Sequence, residues 1–218
     1  TCRPGVRLHA AEQTPNPAAL SLPAKVRSFS QPGFIGLGLL EESQNTYTIN
    51  KKGFGALLLN QPFGPGRAIE FNLQFTRAGT LHFRPGITGA LTGNNGLDAA
   101  KYSLGIACDK NGWSLAISGG VFNKVDGKPR WALDKRRDTL AYWPATEKAQ
   151  QKLIAEKIAP VSILNRTIPV RVEYQAEGLY LYLDGMLAMV VPGQDFGGAA
   201  GIYAYQGTEF SAVRLVPA

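Results

Sequence analysis

Glu70 and Glu173 stand in two separate strand-like runs, "RAIEFNLQFT" and "IPVRVEYQ". Glycosidic cleavage by the usual route needs two carboxyl groups about 5 to 9 Å apart across the scissile bond. No two acids of this chain sit two residues apart on one strand, so such a pair must be assembled from different strands. Glu70 with Glu173 is the candidate catalytic pair; each is also an ordinary solvated strand carboxylate. Ser118 and Ser162 lack the Gly-x-Ser-x-Gly elbow and nearby histidine of a serine nucleophile. Cys2, Cys108, His9 and His82 show no zinc-ligand spacing. Asn94, Asn95 and Asp98 in "LTGNNGLDAAKY" offer oxygen ligands that suit Ca²⁺, and equally make an Asn-Asn-Gly turn; no other cofactor is expected.

Aromatic residues carry a second kind of chemistry. Tyr180 and Tyr182 alternate with Leu179, Leu181 and Leu183, so they point away from the apolar face of their strand. Tyr203 and Tyr205 do the same beside Ile202, and Trp131, Tyr142 and Trp143 lie in a segment of their own. Sugar rings rest their C–H faces on aromatic rings, while planar amides and guanidinium groups bond the hydroxyls. Gln206, His82 and Arg84 supply such groups. Covering of the tyrosines by another part of the chain explains the same pattern.

The elements that position these residues are strands. "IEFNLQF" sets Phe71, Leu73 and Phe75 against Glu70, Asn72 and Gln74, and similar alternation recurs in about ten runs divided by Gly or Asp-Gly turns. One-sided alternation of this kind means two packed sheets or a barrel. In "KYSLGIACDKNGWSLAISGG" the apolar phase is Leu104, Ile106, Cys108, Trp113, Leu115 and Ile117. Its other phase holds only Ser, Gly and Ala (Ser103, Gly105, Ala107, Ser114, Ala116 and Ser118), which leaves room for a neighbour's side chain or a ligand. That face is expected to floor a groove walled by the outward tyrosines and by residues 119–160. Within 119–160 the alternation fades, and Thr146 to Ile158 reads as a short helix stopped by Pro160.

With 218 residues, 25 Gly and 14 Pro, the chain fits one large all-β domain. Residues 1–30 read as an extended arm, and 31–218 as the domain with an insertion at 119–160. The net charge is +7, but the basic residues are scattered, so no nucleic-acid partner is expected. No run is apolar enough to span a membrane. The opening Thr1-Cys2 reads as a processed end, with Cys2 a lipid-anchor site, a disulfide partner or neither.

The order "ALLLNQPFGPGRAIEFNLQFTRAGTLHFRPG", "YSLGIA", "VRVEYQAEGLYLYLDGMLAMVV" and "GIYAYQGTEFSAVRLV" resembles the concanavalin A-like lectin/glucanase superfold. More narrowly, residues 48–118 and 168–216 are similar to the 3-keto-disaccharide hydrolase domains of secreted bacterial proteins, a laminin G-like jelly roll. By that alignment Arg84 and Glu70 match the family's site. Its other polar positions fall on Ser103 and Gly105, and its final His on Gln206. The resemblance implies a two-sheet antiparallel β-sandwich in a secreted, periplasmic or cell-surface protein. The function expected is glycan binding or an accessory role, with glycoside hydrolysis and protein adhesion as alternatives. The ligand surface expected is Tyr180, Tyr182, Tyr203, Tyr205, Gln206, His82, Arg84, Trp131 and Trp143.

Overall fold

A computed structural model describes residues 27–87, 102–119, 130–134, 139–143, 152–159, 161–192 and 196–218. The described residues form strands throughout, in two antiparallel sheets and a ribbon. The first sheet draws on β1 (Arg27–Ser28), β2 (Phe34–Gly38), β5 (Phe54–Phe63), β7 (Gly79–Ile87), β8 (Tyr102–Cys108), β9 (Trp113–Gly119), β12 (Lys152–Ala159) and β16 (Gly198–Tyr205). Its order is β1-β2-β5-β16-β7-β8-β9-β12. The second is built from β3 (Glu41–Ser43), β4 (Thr46–Thr48), β6 (Arg67–Phe75), β13 (Thr167–Gln175), β14 (Gly178–Leu183), β15 (Met186–Pro192) and β17 (Thr208–Pro217). It runs β15-β14-β13-β6-β17-β4-β3. β10 (Arg130–Asp134) and β11 (Thr139–Trp143) pair as a separate ribbon, and β11 lies against β9.

The alternation of each strand decides which face meets the other sheet. Phe71, Leu73 and Phe75 of β6, Val170 and Val172 of β13, and Leu179 and Leu181 of β14 are buried from one side. Leu57, Leu81, Phe83, Leu104, Ile106, Leu115, Ile117 and Ile202 meet them from the other, in one continuous core. Local turn chemistry supports the hairpins. Asp184 and Gly185, with φ of 52° and 74°, join β14 to β15 in the left-handed geometry that a two-residue hairpin requires. At Gly178 (φ 153°) a Cβ would stand 2.3 Å from the Val191 carbonyl oxygen, so only glycine lets β14 and β15 close there.

The sequence expectation of a helix over 146–158 is corrected. Lys152–Ala159 is the edge strand β12, pairing antiparallel with β9 from Lys152↔Gly119 to Ala159↔Trp113, with a bulge near Leu153. Residues 146–151 lie outside the described residues. Helix propensity is a weak prior, worth tenths of a kcal/mol per residue. The unpaired backbone edge of β9 offers a full ladder of hydrogen bonds instead, and the ladder wins. Residues 1–26, with Cys2, also lie outside the described residues. Cys108 is a free thiol in the core, and its burial, the largest influence, raises its pKa.

Candidate functional site

The sheet containing β16 is packed on both faces. Its outer face carries a smaller apolar cluster of Leu37, Ala56, Leu58, Ile87, Ala199 and Tyr203, bordered by Ile35 and Phe54. Register explains the stripped strand. Tyr203 of β16 lies between Ala56 of β5 and His82 of β7; His82 lies beside Gly105 of β8, and Gly105 beside Ala116 of β9. Arg84 is likewise paired with Gly201. Large side chains alternate with stubs across the strands, so the stubs make room for Tyr203, His82 and Arg84. The face is covered as well, since Ser103 is 0% exposed and Ala107 and Ser114 are also buried.

Three polar groups are thereby taken out of water. His82 is 1% exposed, with Nδ1 3.2 Å from the Ser103 hydroxyl. Burial first, and then the neighbouring charge of Arg84, hold the imidazole well below its ordinary pKa, so it is neutral at pH 7. The Arg84 guanidinium lies 4.9 Å from the centre of the Tyr203 ring. Tyr203 stacks on Phe54 at 5.1 Å, and Tyr205 stands edge-on to Tyr203 at 5.3 Å. This aromatic ladder leads outward: Tyr203 is 4% exposed and Tyr205 41%.

Tyr205 opens onto a cavity of ≈ 410 Å³, lined also by Lys52, Arg77, Thr80 and Gln206. Gln206 follows β16 in the turn to β17. Arg77 Nη2 donates to its side-chain oxygen at 2.6 Å and Arg77 Nε to its carbonyl at 3.2 Å. The Gln206 amide nitrogen in turn donates to the Asn50 carbonyl at 3.1 Å. An aromatic face, an amide and two cations thus converge at one end of the sheet. Tyr205 and Gln206 are among the residues expected from the sequence, whereas Lys52, Arg77 and Thr80, which line the same cavity, are not. The only hint was basic residues in two turns, "NKKG" and "TRAG".

The other expected residues do not join this group. Glu70, Glu173, Tyr180 and Tyr182 lie on β6, β13 and β14, in the opposite sheet. Arg171 Nη1 donates to Glu70 and Arg171 Nε to Glu173 at 2.5 Å, while Arg214 Nε donates to Glu70 at 2.7 Å. Burial alone would raise the Glu173 carboxyl; hydrogen bonds from Arg171 and Gln175 outweigh it and hold the carboxyl low. A general acid needs the opposite shift. This network borders a cleft of ≈ 520 Å³ with Asn45, Asn72 and Tyr182 on its walls. The set expected to form one surface is therefore divided between the two sheets. Trp131 and Trp143 lie on the ribbon strands β10 and β11, and their side chains are outside the described residues, as are Asn94, Asn95 and Asp98. Among the described residues no group of three or more His, Cys, Asp or Glu is placed to hold a metal.

Comparison with solved structures places the chain in the concanavalin A-like and galectin-like β-sandwich fold. It is similar to the carbohydrate binding module CBM66 from Bacillus subtilis, with 13% identity and a TM-score of 0.52 over 85% of this chain and 96% of that one. It is similar to the exoplasmic/lumenal domain of VIP36 in a Ca²⁺/mannose-bound form, with 10% identity and a TM-score of 0.58 over 88% and 85% of the two chains. A legume lectin-like domain from Entamoeba histolytica matches at 10% identity and a TM-score of 0.54, over 85% and 90%. No family model and no curated protein matches the sequence.

Proposed function

We propose that this chain is a saccharide-binding β-sandwich of an exported protein, and that it binds without cleaving. One observation carries the reading: Tyr205 is exposed at the end of the Phe54–Tyr203 ladder, beside a cavity walled by Gln206, Arg77 and Lys52. The exposed ring offers a platform for the apolar face of a sugar, and the amide and guanidinium offer bonds to its hydroxyls. The sugar-binding neighbours on the same fold support it, as does the resemblance to 3-keto-disaccharide hydrolase domains, which also take sugars and are secreted. Binding is preferred to hydrolysis because Glu70 and Glu173 are both tied to Arg171, away from Tyr205.

Screening the chain on a glycan array, with reducing ends assayed after incubation with each ligand bound, tests both halves. Binding without new reducing ends is the expected result. Tyr205→Ala weakens that binding by about 1 to 3 kcal/mol with the melting temperature preserved. Retained affinity in Tyr205→Ala moves the site elsewhere, and release of reducing ends makes the protein a hydrolase.

A further inference from the structure

We infer that the ligand of the Tyr205 cavity is an acidic saccharide, bearing a carboxylate or a sulfate ester that Lys52 and Arg77 hold. The inference rests on the saccharide-binding reading above and adds the charge of the sugar.

The cavity is lined by two cations and no carboxylate. Among the described residues neither Lys52 nor Arg77 has an acidic partner, whereas Arg166, Arg171 and Arg214 each pair with Asp or Glu. The acids on the adjoining strands are Glu41, which accepts from Asn50 Nδ2 at 2.8 Å, and Glu209. Glu209 lines a separate cavity of ≈ 220 Å³ that shares Arg77 and Gln206, and it forms no ion pair with Arg77. Exposed Lys51, next in sequence, adds positive charge to the same turn.

Arg77 is also set in place before any ligand arrives. Two of its nitrogens are bonded to Gln206, which is itself anchored to Asn50. Its methylene stem crosses Gly207, where a Cβ would stand 2.4 Å from Arg77 Cγ and where φ is 89°. Only glycine leaves that path open, so the turn is shaped around the arginine. A guanidinium fixed along one edge keeps its remaining N–H groups for an anion and loses little further freedom on binding. A neutral sugar would meet the ring, the amide and the guanidinium through its C–H face and hydroxyls but would leave two cations without counter-charge. An acidic sugar uses all four groups.

The test uses the full chain and two matched pairs of polymers: polygalacturonate with its methyl ester, and dextran sulfate with dextran. Affinity electrophoresis or calorimetry is run at low salt and at about 0.15 M. The charged member of at least one pair binds about tenfold or more tightly than its neutral partner, and the favoured pair identifies carboxylate or sulfate. Lys52→Gln and Arg77→Gln each lose about tenfold on the charged polymer, while Arg166→Gln, an equal charge change outside the cavity, loses little. Lys52→Gln alters an exposed side chain and keeps the test open if Arg77→Gln disturbs the Gln206 turn. Equal binding of charged and neutral members, or losses no larger than that of Arg166→Gln, overturns the inference and leaves saccharide binding standing. Failure to bind any glycan, on the array or among these polymers, overturns both.

Discussion

The guanidinium of Arg84 lies 4.9 Å from the centre of the Tyr203 ring, and both side chains are buried on the outer face of their sheet. A desolvated cation over an aromatic face is worth about 2 kcal/mol, and the aliphatic stem of the arginine adds packing. Arg84→Ala therefore lowers stability by about 2 kcal/mol or more in urea denaturation. Arg84→Met keeps much of the packing and recovers part of the loss. An Arg84→Ala protein as stable as the parent would show that the pair contributes nothing.

Ser103 measures how closely the stripped face is covered. It is 0% exposed and its hydroxyl lies 3.2 Å from His82 Nδ1. Ser103→Trp should destabilise the fold by about 1 to 3 kcal/mol or more through overpacking. An unchanged melting temperature would instead mean that this face is an open groove.

Because His82 is kept neutral by burial, stability acquires a pH dependence of definite sign. The unfolded histidine titrates near 6.5 and the folded one well below, so between these values the unfolded state binds the extra proton. The His82 contribution is complete above the unfolded pKa and is lost as pH falls toward the folded one. Among the described residues, Arg84, Ser103, Tyr203 and Tyr205 face it. Urea midpoints should fall between pH 7 and pH 5 in the parent, and His82→Gln should flatten that portion of the curve.

On the opposite sheet, Glu70 joins two arginines. Its side chain is 22% exposed and that of Arg171 30%, so removing the charge leaves Arg171 only partly hydrated, whereas Arg214, 67% exposed, returns to water. Glu70→Gln should cost about 1 kcal/mol, a figure already reduced for solvent screening. A double-mutant cycle with Arg171→Met measures the coupling, and zero coupling would reduce the network to a surface decoration.

Alternation is a local property, and for that reason the sequence determined the in-or-out assignment of most strands. Phe71, Leu73 and Phe75 had to face a core whichever strands paired with β6, because side chains two residues apart share one face. The all-β class and the one-sided faces follow from the same period, and so does the outward phase of Tyr203 and Tyr205. Which sheet an outward residue belongs to is another matter, because it depends on strand order. β16 inserts between β5 and β7, and β13 pairs with β6 across about a hundred residues. Those non-local pairings set Tyr180, Tyr182, Glu70 and Glu173 on one side of the sandwich and His82, Arg84, Tyr203 and Tyr205 on the other. They brought Lys52, Arg77 and Gln206 to one cavity from three separate turns. They also made a strand of Lys152–Ala159, where local propensity favoured a helix, since the hydrogen bonds that settle the matter come from β9.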